Sequence, residues 1–254
     1  DLGIMEDLLD RAAKVGFTAC MVTANVPVPS RRERQFRAGL TLPPRLSAQV
    51  AWQVARRPRW CLEVLRAGGP GFRSLETYAA QMDISGDGGT IVSEFIRRHM
   101  GGVLDWDYLA RVREIWAGPL ILKGVLSGED AARAVELGVD ALLVSNHGGR
   151  QLDAAPASIE MLPEIAEIVQ DRARLLFDSG VRTGEDILKA IALGADFVFV
   201  GRGFQYGVAA LGPRGGDHVA AILIDEMKNV MAQIGAATLG ELSPEWIHDA
   251  YAGA

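Results

Sequence analysis

Cysteine is scarce in this 254-residue chain: there are two, Cys20 and Cys61, both in apolar surroundings and neither at metal-ligand spacing. That excludes a disulfide-stapled scaffold and a cysteine metal centre, and no other metal-ligand pattern stands out; the two read as reduced core or interface thiols in a cytosolic setting. A long apolar run is lacking too, so neither a membrane span nor a signal peptide is expected. Nor is there an excess of positive charge. The formal net charge is −6, which gives no electrostatic footprint for nucleic acid. The chain does hold 49% apolar residues, enough for a sizeable core, and its length fits one large barrel-sized domain. Residue 1 is Asp rather than Met, and the chain opens inside a helical pattern, so an N-terminal portion is expected to be absent.

What is present is a rhythm of helix, glycine and strand. Apolar residues at Leu2, Met5, Leu8, Leu9 and Ala12 predict a helix over 2–15, stopped by Gly16, with a strand over 17–23. From Asp105 the alternation is regular. Helices are expected over 105–116, 128–137 (capped by Ser127), 158–170, 185–193 (capped by Thr183) and 218–234, with a short final one over 243–250. Strands are expected over 119–123, 140–144, 174–178 and 196–200. This is the pattern of a parallel α/β sheet. Five strands fall short of the eight of a (β/α)8 barrel; three more in an absent N-terminal segment would complete it, and an open five-stranded sheet is the alternative.

Two stretches break the rhythm. Residues 25–37 contain Pro27 and Pro29, which predict no regular structure, and a basic cluster at Arg31, Arg32, Arg34 and Arg37. The cluster reads either as a solvated loop or as an anion site beyond a strand end. Residues 41–89 form an excursion with two short helices expected over 47–57 and 59–66, separated by Pro58. Trp52 and Trp60 alternate there with Arg56, Arg57, Arg59 and Arg66. Such a mixture suits a membrane interface; a protein–protein interface or a lid explains it equally.

Ligands of such folds bind at the C-terminal ends of the strands. Here every expected strand ends at or beside a polar residue: Thr23 with Asn25, Lys123, Ser145 with His147 and Arg150, Asp178 with Ser179, Gly180, Val181 and Arg182, and Gly201 with Arg202. His147 and Arg150 flank two glycines, so a proton acceptor sits beside a group that can grip a carboxylate. The loops at 178–182 and 201–202 each lead into a helix, where backbone N–H groups hold phosphate. Lys123 ends an apolar strand and could form a Schiff base, pair with a buried acid or stabilise an anionic ring.

Ser145-Asn-His-Gly-Gly-Arg-Gln-Leu-Asp153 resembles the signature of the FMN-dependent 2-hydroxy-acid oxidases and dehydrogenases, which include glycolate oxidase and the lactate and mandelate dehydrogenases. The segments at 121–125, 178–182, 193–195, 200–202 and 31–34 resemble that family as well, and 58–60, 178–179, 232–235 and 242–244 most resemble its mandelate and lactate dehydrogenases. The resemblance implies a single, partial FMN-binding (β/α)8 TIM-barrel domain over 1–254, variable at 41–89. It implies oxidation of an L-2-hydroxy acid, mandelate- or lactate-like, with electrons passing to oxygen, a quinone or a cytochrome.

By resemblance His147 is the base, removing either the α-proton or the hydroxyl proton. Arg32 and Arg150 hold the substrate carboxylate. Thr23, Lys123 and Ser145 contact FMN, and Asp178, Ser179, Gly180, Val181, Arg182, Gly201 and Arg202 hold its ribityl phosphate end. Homo-oligomers are implied, as is a cytoplasmic location with peripheral contact to the inner face of the cytoplasmic membrane through 46–75. One departure stands out: the family has an Asp paired to the catalytic His where this chain has Asn25. A flavin-binding relative with weak or no activity is therefore the alternative. Another phosphate-binding barrel, of the type 2 isopentenyl diphosphate isomerase kind, would not need the His147–Arg150 pair.

Overall fold

In the computed structural model of the chain, residues 2–28, 30, 33–39, 47–68, 75, 77–78, 80 and 104–248 are described. They fall into two compact units, one of residues 1–11 and 27–103, the other of residues 12–26 and 104–254.

The division runs through helix α1 (Leu2–Lys14), which Gly16 ends with a φ of +90°. The first unit holds most of α1 together with α2 (Glu33–Arg37), α3 (Ala48–Ala55) and α4 (Pro58–Ala67). Ser47 caps α3 by accepting the Val50 N–H, and Pro58 stands in the first turn of α4, where its missing N–H costs nothing. Helix α2 corrects the expectation of irregular structure over 25–37: both prolines precede it, so nothing in its own five residues opposes a turn of helix. The Tyr78 hydroxyl is bonded to the Asp7 carboxylate and receives a hydrogen bond from Arg11 at 2.9 Å. Burial is the main cause that pushes this phenol's pKa up.

The second unit is a parallel sheet in the order β1 (Cys20–Thr23), β2 (Leu120–Val125), β3 (Ala141–Val144), β4 (Arg174–Phe177), β5 (Phe197–Val198). Helices α5 (Trp106–Ile115), α6 (Gly128–Glu136), α7 (Ser158–Val169) and α8 (Gly184–Ala192) fall between the strands, and α9 (Arg202–Leu211) and α10 (Gly215–Ile234) follow the last. Consecutive neighbours in one parallel sheet with intervening helices are successive βα units of a (β/α)8 barrel. All four residues of β3 are buried, as expected for a strand covered on both faces. In β2, Leu120 and Leu122 are buried while Ile121 and Lys123 lie on the opposite face. The helices bury residues at helical spacing, for example Leu162, Ile165 and Val169 of α7.

The strands start at matched heights because of a repeated Gly-x-Asp. Gly138 and Gly194 end α6 and α8 with φ of +85° and +108°. Two residues on, Asp140 accepts the Leu120 N–H at 2.8 Å and Asp196 accepts the Leu175 N–H at 2.7 Å. Each carboxylate is also paired with an arginine, Arg113 at 2.8 Å and Arg174 at 2.9 Å.

Three expected elements are shorter than the periodicity indicated. The strand over 17–23 begins at Cys20, that over 196–200 is reduced to Phe197–Val198, and the final helix is a single 3-10 turn, Pro244–Trp246. Pairing with a neighbour decides where a strand starts, and the apolar run alone does not supply it. Helix α10 starts earlier than expected, at Gly215, because that glycine lets its backbone press against Gly207 of α9: a Cβ there would lie 2.1 Å from the Gly207 carbonyl oxygen.

Candidate functional site

The register of the sheet sets the site. Val144 pairs with Phe177, so the residues that follow them, Ser145 and Asp178, leave the sheet side by side. Lys123 stands at the same edge of β2, where a register shift at Gly124 turns the chain. Its ammonium donates to Ser145 Oγ at 2.8 Å and forms an ion pair with the Asp178 carboxylate. The two charged side chains are only 14% and 23% exposed, so their attraction is weakly screened.

Beyond β3 the chain makes a 3-10 turn, His147–Gly149, in which His147, Gly148 and Gly149 all have φ between +57° and +68°. Glycine tolerates this backbone; histidine does so only when held. Holding bonds come from four side chains. The buried Ser158 hydroxyl accepts the Asn146 N–H at 2.8 Å, Ser145 Oγ accepts the His147 N–H at 3.1 Å, Ser179 Oγ accepts the Gly148 N–H at 2.9 Å, and Asn146 Oδ1 accepts the Gly149 N–H at 3.1 Å.

The imidazole is oriented by Asn25. The amide nitrogen of Asn25 donates to the Ser145 carbonyl at 3.1 Å, and its Oδ1 lies 3.2 Å from His147 Nδ1. A carbonyl oxygen can only accept, so the side-chain nitrogen must face Ser145 and the oxygen must face the ring. Nδ1 therefore carries the proton, and Nε2 is the basic nitrogen.

Below this turn lies a cavity of about 530 Å³, within the range of small-molecule sites. Lys123, His147 and Arg150 line it together with residues 178–182, Gly201 and Arg202. Arg150 Nε is buried with no hydrogen-bond partner among the described residues. A buried guanidinium N–H left in that state is a strong site for an anion. Helix α9 begins at Arg202 with no side chain capping its first turn, and added Cβ atoms at Gly180 or Gly201 would meet open space. Uncapped N–H groups beside Arg182 and Arg202 are the kind of donor set that could hold a phosphate.

The structure thus gathers Lys123, His147, Arg150, the 178–182 loop, Gly201 and Arg202 around one cavity, with Asn25 and Ser145 behind its wall, bonded to His147 and Lys123. Thr23 pairs with Lys123 in register but is not part of the cavity wall. Arg32 lies outside the described residues. Sequence reasoning missed Phe199, Gly203, Gln205 and Tyr206, which also line the cavity. Gln205 and Tyr206 stand one helical turn beyond Arg202, a spacing that could have identified them. It missed Ser158 as well, whose hydroxyl matters only because α7 packs under the turn.

The sequence pattern of the FMN-dependent dehydrogenases matches residues 1–249. L-lactate dehydrogenase of Caulobacter sp. (strain K31) is 39% identical over 245 residues, which are 95% of this chain and 63% of that protein. L-lactate oxidase of Nostoc sp. (strain PCC 7120) is 38% identical over 248 residues, 98% of this chain and 61% of that one. Among solved structures, the monotopic membrane protein (S)-mandelate dehydrogenase superposes with a TM-score of 0.87 at 34% identity, over 96% of this chain and 64% of that chain. The chain therefore spans a little under two thirds of the length of these relatives.

Proposed function

Because the chain belongs to the FMN-dependent dehydrogenase family, we propose that it oxidises an L-2-hydroxy acid, mandelate- or lactate-like, to the 2-oxo acid. One observation carries this reading: His147, with its basic nitrogen fixed as Nε2, shares a cavity with the buried, unpartnered Nε of Arg150 and the ammonium of Lys123. The residues present fit FMN. The uncapped start of α9 with Arg182 and Arg202 would hold its phosphate, and Lys123 would face the ring where negative charge develops on reduction. FMN, when bound, supplies the acceptor for the two electrons that leave the substrate carbon.

The chain's own residues do the rest. Arg150 grips the carboxylate, a role the family resemblance gives to Arg32 as well, and so fixes which face of the α-carbon is presented. His147 Nε2 takes the substrate's proton, and the imidazolium keeps its Nδ1 hydrogen bond to Asn25. Lys123 balances charge at the cavity floor, held between Asp178 and Ser145. Electrons then pass to oxygen, a quinone or a cytochrome; relatives named as oxidase and as dehydrogenase both occur.

A flavin-binding relative with little turnover is the second reading, favoured by the neutral amide at Asn25. The test is direct. Purified protein should be yellow, and anaerobic addition of mandelate or lactate should bleach it; a yellow protein that no hydroxy acid bleaches would overturn the first reading in favour of the second.

Peripheral contact with a membrane is proposed through α3 and α4. Trp52, Trp60, Leu62 and Leu65 are exposed there, beside Arg56, Arg57, Arg59 and Arg66. Among the described residues no helix is long and apolar enough to cross a membrane. Self-association is proposed as well.

A further inference from the structure

Ser179 is the one non-glycine residue of the 178–182 loop with a left-handed backbone, at φ +85°. Such a conformation is strained for a residue with a side chain, and a glycine would relieve it. Its neighbour Gly180, at φ +80°, shows the loop admitting glycine with open space around it. What the strain secures is the place of the hydroxyl. Ser179 Oγ donates to Asp178 Oδ1 at 2.8 Å and accepts the Gly148 N–H at 2.9 Å. Asp178 is ion-paired to Lys123, and Lys123 donates to Ser145 Oγ, which accepts the His147 N–H.

Two polar chains therefore run from one ammonium to two consecutive amides, His147 through Ser145 and Gly148 through Asp178 and Ser179. Both amides belong to the left-handed turn that carries the imidazole. On the other side of that turn, Arg202 donates to the Gly148 carbonyl at 3.3 Å.

We propose that Ser179 is a positioning residue for His147, its hydroxyl tying the Lys123–Asp178 ion pair to the turn that carries the base. The functional part of this assignment rests on the reading of His147 as the base; the structural part does not. Charge-paired carboxylates make strong acceptors, so the Ser179 hydroxyl is oriented towards Asp178 and its lone pair is left for Gly148. Without it, Gly148 loses its acceptor, and the bonds that remain to the turn from Ser145, Asn146, Ser158 and Arg202 leave that amide unheld.

The test uses the flavin-loaded protein and the variants Ser179→Gly and Ser179→Ala. Glycine suits φ +85°, so S179G should unfold at the same or a higher urea concentration than the parent. Amide hydrogen exchange in a peptide spanning 146–150 should nevertheless quicken about tenfold in both variants. With mandelate or lactate, kcat should fall about tenfold to a hundredfold while KM stays within about twofold, the signature of a misplaced base with the carboxylate grip intact. Unchanged exchange at 146–150, or an unchanged kcat with faster exchange, would overturn the proposal. If the parent protein turns over no hydroxy acid, the proposed function fails, while the exchange measurement still decides whether Ser179 holds the turn.

Discussion

Asn25 Oδ1 lies 3.2 Å from His147 Nδ1, while the other end of the same amide is fixed on the Ser145 carbonyl at 3.1 Å. The neutral amide sets the tautomer as well as a carboxylate would, but it brings no charge to an imidazolium. Asn25→Asp should raise kcat about tenfold with KM little changed, once the second carboxylate oxygen turns away from the Ser145 carbonyl. Steady-state kinetics showing no gain would remove the idea that the amide limits the rate. Asn25→Ala, which leaves Nδ1–H without this acceptor, should lower kcat.

Lys123 balances Asp178 in a place where neither is well hydrated. Lys123→Met should destabilise the fold by about 3 kcal/mol, because a buried carboxylate is left without its cation. Urea unfolding reads the loss, and a flavin titration should show weakened binding in the same variant. A variant as stable as the parent would mean that water reaches Asp178 freely.

Where α9 and α10 cross, the backbones touch at Gly207 and Gly215. A Cβ at Gly215 would sit 2.1 Å from the Gly207 carbonyl oxygen, with backbone on both sides and nothing flexible to yield. Gly215→Ala should cost about 3 kcal/mol. Since the N-terminus of α9 is proposed to hold the flavin phosphate, flavin binding should weaken along with stability.

Burial raises the pKa of the Cys20 thiol above its ordinary 9.0, and burial likewise raises that of the Tyr108 phenol above 10.0. Both groups are favoured in their neutral forms by folding. Their contribution is fully present below those ordinary values and is lost as pH rises through the higher folded ones. The urea midpoint should therefore hold steady from pH 7 to 8.5 and fall above pH 9, and Cys20→Ser should flatten the first part of that fall. A midpoint independent of pH up to 11 would contradict it.

The exposed face of α3 and α4 gives a test of membrane contact. Replacing Trp52, Trp60 and Leu65 together by Ala should abolish co-sedimentation with anionic vesicles and leave kcat unchanged. Unaltered sedimentation would place any membrane contact elsewhere.

The sequence by itself determined the parts whose causes are local. Ser127, Thr183 and Asp105 cap helices through their own third neighbours, Gly138 and Gly194 end helices, and apolar runs mark β2, β3 and β4. The loop holding His147 and Arg150 was legible for the same reason, being nine contiguous residues, 145–153. The tertiary structure decided what those side chains face. Asn25 and His147 are 122 residues apart, and Lys123 and Asp178 are 55 apart. Parallel register, set at the far edge by the Asp140 and Asp196 carboxylates, brings them within hydrogen-bonding reach. Strand β5 shows the converse: four apolar residues, Phe197 to Val200, promised a strand, but only Phe197 and Val198 pair in register with β4. Hydrogen bonds between distant strands leave no periodic trace in the chain, so the network that orients the His147 imidazole and ties its turn to Lys123 became visible only once the sheet was assembled.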